Sequence, residues 1–151
     1  MDTRAAVENS PPSVWIGTRL ALLVSAAIVG PQVAPWYAKA NLRHVATSLA
    51  VMVAIGFLMA LSVTAFTRLG MRPGERWLRP SWRGRLYPVS PAATFHFFGW
   101  YLVVLGLSAG VAVLWVPKSS LLGGSTLGGC GLGFLAAAHA SVRVFPRAFK
   151  G

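Results

Sequence analysis

Acidic residues are almost missing from this chain: Asp2, Glu8 and Glu75 are the only three in 151 residues, against fourteen Lys and Arg. None of the three falls in an apolar run. Ion- or proton-coupled transport ordinarily relies on a carboxylate inside the membrane, so the scarcity counts against a small transporter or channel of that kind. Cysteine is scarcer still. Cys130 stands alone, which excludes an internal disulfide and any paired-cysteine metal or redox motif. No aspartate accompanies a histidine within an apolar run, and Cys130 lies among glycines, so acid–base and nucleophilic catalysis lack their usual partners. The glycine-rich stretch GGSTLGGCGLG has neither the lysine nor the strand-to-helix setting of a phosphate-cradling loop. The chain is expected to be no enzyme.

What remains is apolar. Hydrophobic residues make up 55% and charged residues only 11%, with mean hydropathy +0.60, whereas soluble domains carry about a quarter charged residues. The formal charge of +11 would suggest nucleic acid in a soluble protein. Here the cations lie between apolar runs and at the chain ends, where membrane orientation alone places them, so nucleic acid is not expected as a partner.

Four uncharged runs reach the roughly 20 residues that cross about 30 Å of hydrocarbon. The fold expected is all-α: an integral membrane bundle of four transmembrane helices forming one domain over residues 1–151. The spans fall at about 14–37, 45–66, 95–116 and 121–144, after a polar tail over 1–13 and around a basic loop over 67–94. Ser10 before Pro11 and Pro12 reads as a helix start. A signal-peptide reading of the first run is rejected because Arg19 interrupts its approach and Pro31 to Pro35 make a poor cleavage site. In the same run Gly30-Pro31 and Pro35 are expected to kink or end the helix, with Trp36 and Tyr37 in the outer aromatic belt. Arg19, about a turn inside, is expected to snorkel to the headgroups.

The second run, His44 to Thr67, is apolar all round, and Thr47, Ser48, Ser62 and Thr64 can return their hydroxyls to their own helix. The third is aromatic at its inner end, with Phe95, Phe97, Phe98, Trp100 and Tyr101, and carries Trp115 at the outer one. Glycines mark the third and fourth: Gly106/Gly110, Gly124/Gly128 and Gly129/Gly133 each have GxxxG spacing, which lets helix backbones approach. A tight contact between spans three and four is expected from them. An alternative reading of the fourth run's glycines is a partly extended entry over 119–126, tolerated only under protein cover.

Between spans two and three, Arg68, Arg72, Arg76, Arg79, Arg83 and Arg85 are interleaved with Trp77 and Trp82, while Pro73-Gly74, Pro80, Gly84, Pro88 and Pro91 prevent a long helix. This loop suits anionic lipid headgroups or a protein partner, since guanidinium forks bind phosphate or carboxylate in a bidentate way and stack on aromatic rings. Eleven of the fourteen Lys and Arg fall in the N-terminal section, this loop and the C-terminus. The positive-inside rule then puts both termini in the cytoplasm, as in a multi-pass protein of the bacterial inner membrane.

The expected role is that of an accessory, structural or interaction subunit of a larger membrane assembly, without a cofactor, in contact with lipids and other membrane subunits. The alternative rests on His96 and His139, near the inner ends of spans three and four. Two histidines on facing helices can ligate haem iron, which would make the chain a b-type haem or quinone-binding electron-transfer subunit. His44 lies at the opposite end.

Overall fold

A computed structural model describes residues 12–33, 41–71, 76–77, 79–80, 90–116 and 120–149, with side chains from residue 16 onward. Its four long helices are α1 (Pro12–Val33), α2 (Leu42–Leu69), α3 (Pro91–Val111) and α4 (Leu121–Val144). All four are long and apolar enough to cross a membrane. The described residues contain no strand.

Local chemistry sets the helix starts. Asn41 opens α2 by accepting from the His44 N–H at 2.9 Å. Ser90 opens α3 by accepting from Ala93 N–H at 3.0 Å, with Pro91 in the first turn. Ser120 opens α4 by accepting from Leu122 N–H at 3.0 Å. Each short polar side chain satisfies a first-turn donor that has no partner within the helix. Pro91 thus begins a helix where the sequence suggested a breaker, because a first-turn proline loses no hydrogen bond. The helix over 121–144 likewise replaces the extended entry considered for 119–126. Pro31 sits inside α1, which runs on to Val33; Pro35, Trp36 and Tyr37 lie outside the described residues. At the end of α3 the chain tightens into a 3₁₀ turn, Ala112–Leu114.

The helices stand in the order α2, α4, α3, α1. α4 packs on both α2 and α3, α1 packs on α3, and α2 and α3 meet only glancingly. The first hairpin is therefore splayed, and the second hairpin lies between its two helices. Contacts fix the directions: Ser108 Oγ donates to Ala26 O at 3.2 Å across the parallel pair α3 and α1, and the Ser48 and Thr126 hydroxyls meet at 2.9 Å across the parallel pair α2 and α4. Thr47 and Thr64 bond back to their own helix. Ser48 instead bonds across to α4, so one of the four hydroxyls expected to be self-satisfied joins two helices.

α4 can be central because it has little side chain to displace. On the α3 side a Cβ at Gly124 would stand 2.7 Å from Gly106 O, and one at Gly106 would stand 2.6 Å from Gly124 O and 2.5 Å from Gly128 N. About two turns further along, a Cβ at Gly99 would stand 2.9 Å from Gly131 O. On the α2 side a Cβ at Gly129 would stand 2.8 Å from Leu49 O, and one at Gly133 would meet Val53 O and Phe57 N. Gly129 and Gly133 thus face α2 rather than α3. Gly110 and Gly128 contribute through their backbones only: the Gly110 N and Cα lie beneath Gly124, yet their own Cβ directions meet nothing closer than 3.9 Å and 4.0 Å.

Those distances separate the glycines by consequence. Gly124→Ala should force two backbones apart and cost about 1–3 kcal/mol, as overpacking does, whereas Gly128→Ala should change stability by less than about 0.5 kcal/mol. Thermal melting of the two variants in the same detergent checks this. Equal melting temperatures would mean that the α3–α4 backbone contact does not limit stability.

Candidate functional site

At one end of the row lie Pro12, Leu69, Pro91 and Val144, together with Arg68, Arg76, Arg79, Arg143 and Arg147; we call this the basic end. About two turns in from it, three adjacent helices bring protonatable groups together. α3 and α4 run antiparallel, so His96 on the second turn of α3 faces His139 near the end of α4, with ring centroids 5.5 Å apart and planes tilted by 55°. His96 is 8% exposed, whereas His139 is exposed. His139 Nδ1 is 2.8 Å from Leu135 O. A carbonyl only accepts, so Nδ1 carries the proton in that bond.

Arg19 supplies the third group. It is 3% exposed and close enough to His96 to act on it electrostatically. α1 lies along α3, and the Arg19 side chain is enclosed rather than open to solvent as a snorkelling side chain would be. Taking a charge out of water costs several kcal/mol, and intramembrane charges are kept mainly where they serve a site. All three acidic residues of the chain fall outside the four spans, so no span supplies a carboxylate to this cluster.

The pair does not fit a bis-histidine haem. An iron between two imidazoles needs their nitrogens about 4 Å apart on a line through the metal, two bonds of about 2 Å, with a porphyrin filling the plane between. Here α3 and α4 touch closely just inward of the pair. Phe95 and Phe134 meet edge to face at 5.0 Å, and the Gly99–Gly131 backbone contact lies one turn along. A porphyrin would have to separate the two helices along their closest seam. Among the described residues no cluster of three or more His, Cys, Asp or Glu could hold a metal ion. What the pair offers is two imidazoles side by side, His139 at the surface and His96 shielded.

The aromatic set of α3 is divided between core and surface. Phe97 is buried, Phe95 packs into a core with Ala60, Phe134 and Ala137, and Phe98 and Trp100 are exposed. His44 is exposed beside the cap of α2.

Of the loop residues, Arg76 and Arg79 are exposed, and Arg68 is half-buried with Nη1 3.5 Å from Met71 Sδ. Arg72, Trp82, Arg83 and Arg85 lie outside the described residues. Trp77 is held by the chain itself: its N–H donates to Ala148 O at 2.7 Å, and its ring meets Phe149 edge to face at 5.6 Å. Ala92, Ala148 and Phe149 form a small buried core there, with Trp77, Val142 and Phe145 against it. This attachment of the loop to the C-terminal segment was not anticipated from the sequence. Its signal was the apolar character of Phe145, Pro146, Ala148 and Phe149 in what otherwise reads as a basic tail.

No family model matches the chain, and no curated protein or solved structure is significantly similar to it.

Haemin added to the purified protein is expected to give no six-coordinate Soret spectrum that depends on His139. Such a spectrum in the parent, lost in His139→Ala, would show that α3 and α4 open far enough to admit a porphyrin.

Proposed function

We propose that this chain is a non-enzymatic multi-pass subunit of a larger assembly in the bacterial inner membrane, oriented with both termini inside. The observation that carries the reading is the order of the helices. In a closed four-helix bundle every helix has two close neighbours, whereas here, among the described residues, α1 packs chiefly on α3 and α2 chiefly on α4. Large apolar side chains line the outlying helices, among them Leu20, Val24 and Ile28 on α1 and Val51, Ile55 and Leu58 on α2. Within a bilayer such flanks are satisfied by lipid or by helices of another chain, and close-packed helices gain van der Waals contact that lipid gives less specifically. The basic end adds a polar surface, with Arg76 and Arg79 exposed beside the anchored Trp77. Arginine there recognises phosphate or carboxylate by its planar fork, so anionic lipids and acidic segments of partner subunits are the ligands that surface suits.

Affinity purification from native membranes in mild detergent is expected to bring down at least one other membrane protein in fixed ratio. Recovery of this chain with lipid only would defeat the reading. Orientation is checked separately: a cysteine at Ser81 in a Cys130→Ala background should be labelled only from the inner side, and labelling from the outer side alone would reverse the arrangement.

Replacing Arg76, Arg79 and Arg83 together by lysine keeps charge and topology while removing the forks. Partner recovery is expected to fall in that variant. Unchanged recovery would reduce the loop to an orientation signal.

A further inference from the structure

At the basic end the parallel helices α2 and α4 finish side by side, and the chain leaving α4 turns through the 3₁₀ segment Pro146–Ala148. Between them lies a cavity of about 300 Å³ lined by Arg68, Val144, Phe145, Pro146, Arg147 and Ala148. Its two cations come from different elements, Arg68 from the last turn of α2 and Arg147 from the 3₁₀ segment. The remaining walls are apolar. The cavity is distinct from the histidine cluster, which lies deeper between α4, α3 and α1.

We propose that this cleft binds the phosphate of an inner-leaflet phospholipid whose headgroup carries no amine, with Arg68 and Arg147 on the phosphate oxygens. The assignment rests on the orientation put forward above, which sets this end at the inner surface. The cations are arginines, each with five N–H donors in a fixed fork; the acceptor given to Arg68 among the described residues is a thioether, a weak one. The carbonyl ends of α2 and α4 both lie here and favour cations beside them, which holds the guanidinium groups at the cleft while leaving donors to spare. A phosphodiester accepts two forks at once. The apolar walls, Val144, Phe145, Pro146 and Ala148, suit the glycerol and first acyl carbons below the phosphate, as a freely soluble anion would not require. Headgroup selectivity follows from charge: a zwitterionic lipid brings an ammonium into a cleft that already holds two cations, and phosphatidylglycerol does not.

The full-length protein in mild detergent, exchanged against equal amounts of phosphatidylglycerol and phosphatidylcholine with identical acyl chains, provides the test, with retained lipid counted by native mass spectrometry. One phosphatidylglycerol is expected to be retained about tenfold in preference, equivalent to about 1.4 kcal/mol. That preference should disappear in Arg68→Gln/Arg147→Gln, fall in Arg147→Gln alone, and persist in Arg143→Gln, which removes one charge, as Arg147→Gln does, from an exposed position on α4 outside the cleft. Equal loss in Arg143→Gln would show that only net charge is read and would overturn the site, as would equal retention of the two lipids by the parent. Displacement of the lipid by millimolar inorganic phosphate would make a free oxyanion the ligand and overturn the lipid assignment. Should the double variant fail to fold, Arg147→Gln decides alone, since Arg147 is exposed and outside the long helices; undiminished preference in it overturns the proposal. Each of these results is independent of whether protein partners co-purify.

Discussion

Everything in this structure depends on how closely two backbones can approach when no hydrophobic force drives them together. In hydrocarbon a leucine gains nothing by leaving lipid for another leucine, so helices associate through van der Waals contact and the hydrogen bonds between them. α4 meets that constraint on two sides. Gly124 and Gly131 admit α3, and Gly129 and Gly133 admit α2, while Ser48 with Thr126 adds a hydrogen bond across the second contact. Bulk on either side of α4 would displace a neighbour, and through α3 it would also displace α1, which is attached to α3 by the Ser108 to Ala26 bond.

This arrangement also explains how charge is distributed. The glycine contacts occupy the middle of the membrane and the half away from the basic end, leaving the half near that end for larger and more polar side chains: Phe95, His96 and Phe134 on the central pair, His139 at the surface and Arg19 enclosed beside α3. Further toward that end, polar groups are replaced by outright cations. Toward that end the packing thus grades from glycine to bulky side chains, and Arg68, Arg76, Arg79, Arg143 and Arg147 gather there against Arg43 at the opposite end.

Much of the fold was legible in the sequence, and the reason is that span length and end chemistry are local. Uncharged runs of the right length gave the four helices, but only the start at Ser10-Pro11-Pro12 was read from the sequence; the capping side chains Asn41, Ser90 and Ser120 were not. Pro91 was misjudged as a breaker, since a proline in a first turn and one in a loop look alike until the capping serine beside it is weighed. Helix faces were not legible. An apolar helix with no polar stripe carries no signal of which side meets lipid and which meets protein, so the GxxxG spacing of Gly129 and Gly133 was visible but its partner, α2, was not. Lone glycines such as Gly56, Gly99 and Gly131 have no spacing to reveal them. The candidate site was half legible: the proximity of His96 and His139 follows from antiparallel neighbours, but the enclosure of Arg19 depends on α1 lying against α3, and the anchoring of Trp77 depends on a long-range contact with Phe149.

The splayed first hairpin has a consequence in time. A chain threaded into the membrane from its N-terminus delivers α1 and α2 before α3 and α4 exist, yet among the described residues these two early helices pack chiefly on the later ones. Each must wait as a separate helix in lipid until the second hairpin arrives between them. During that interval α1 carries Arg19 without the neighbour that later encloses it, and it is among the less hydrophobic of the four spans. The interval in which this protein is most exposed to misassembly or degradation is therefore built into the order of its helices, and it closes only when α3 and α4 are in place.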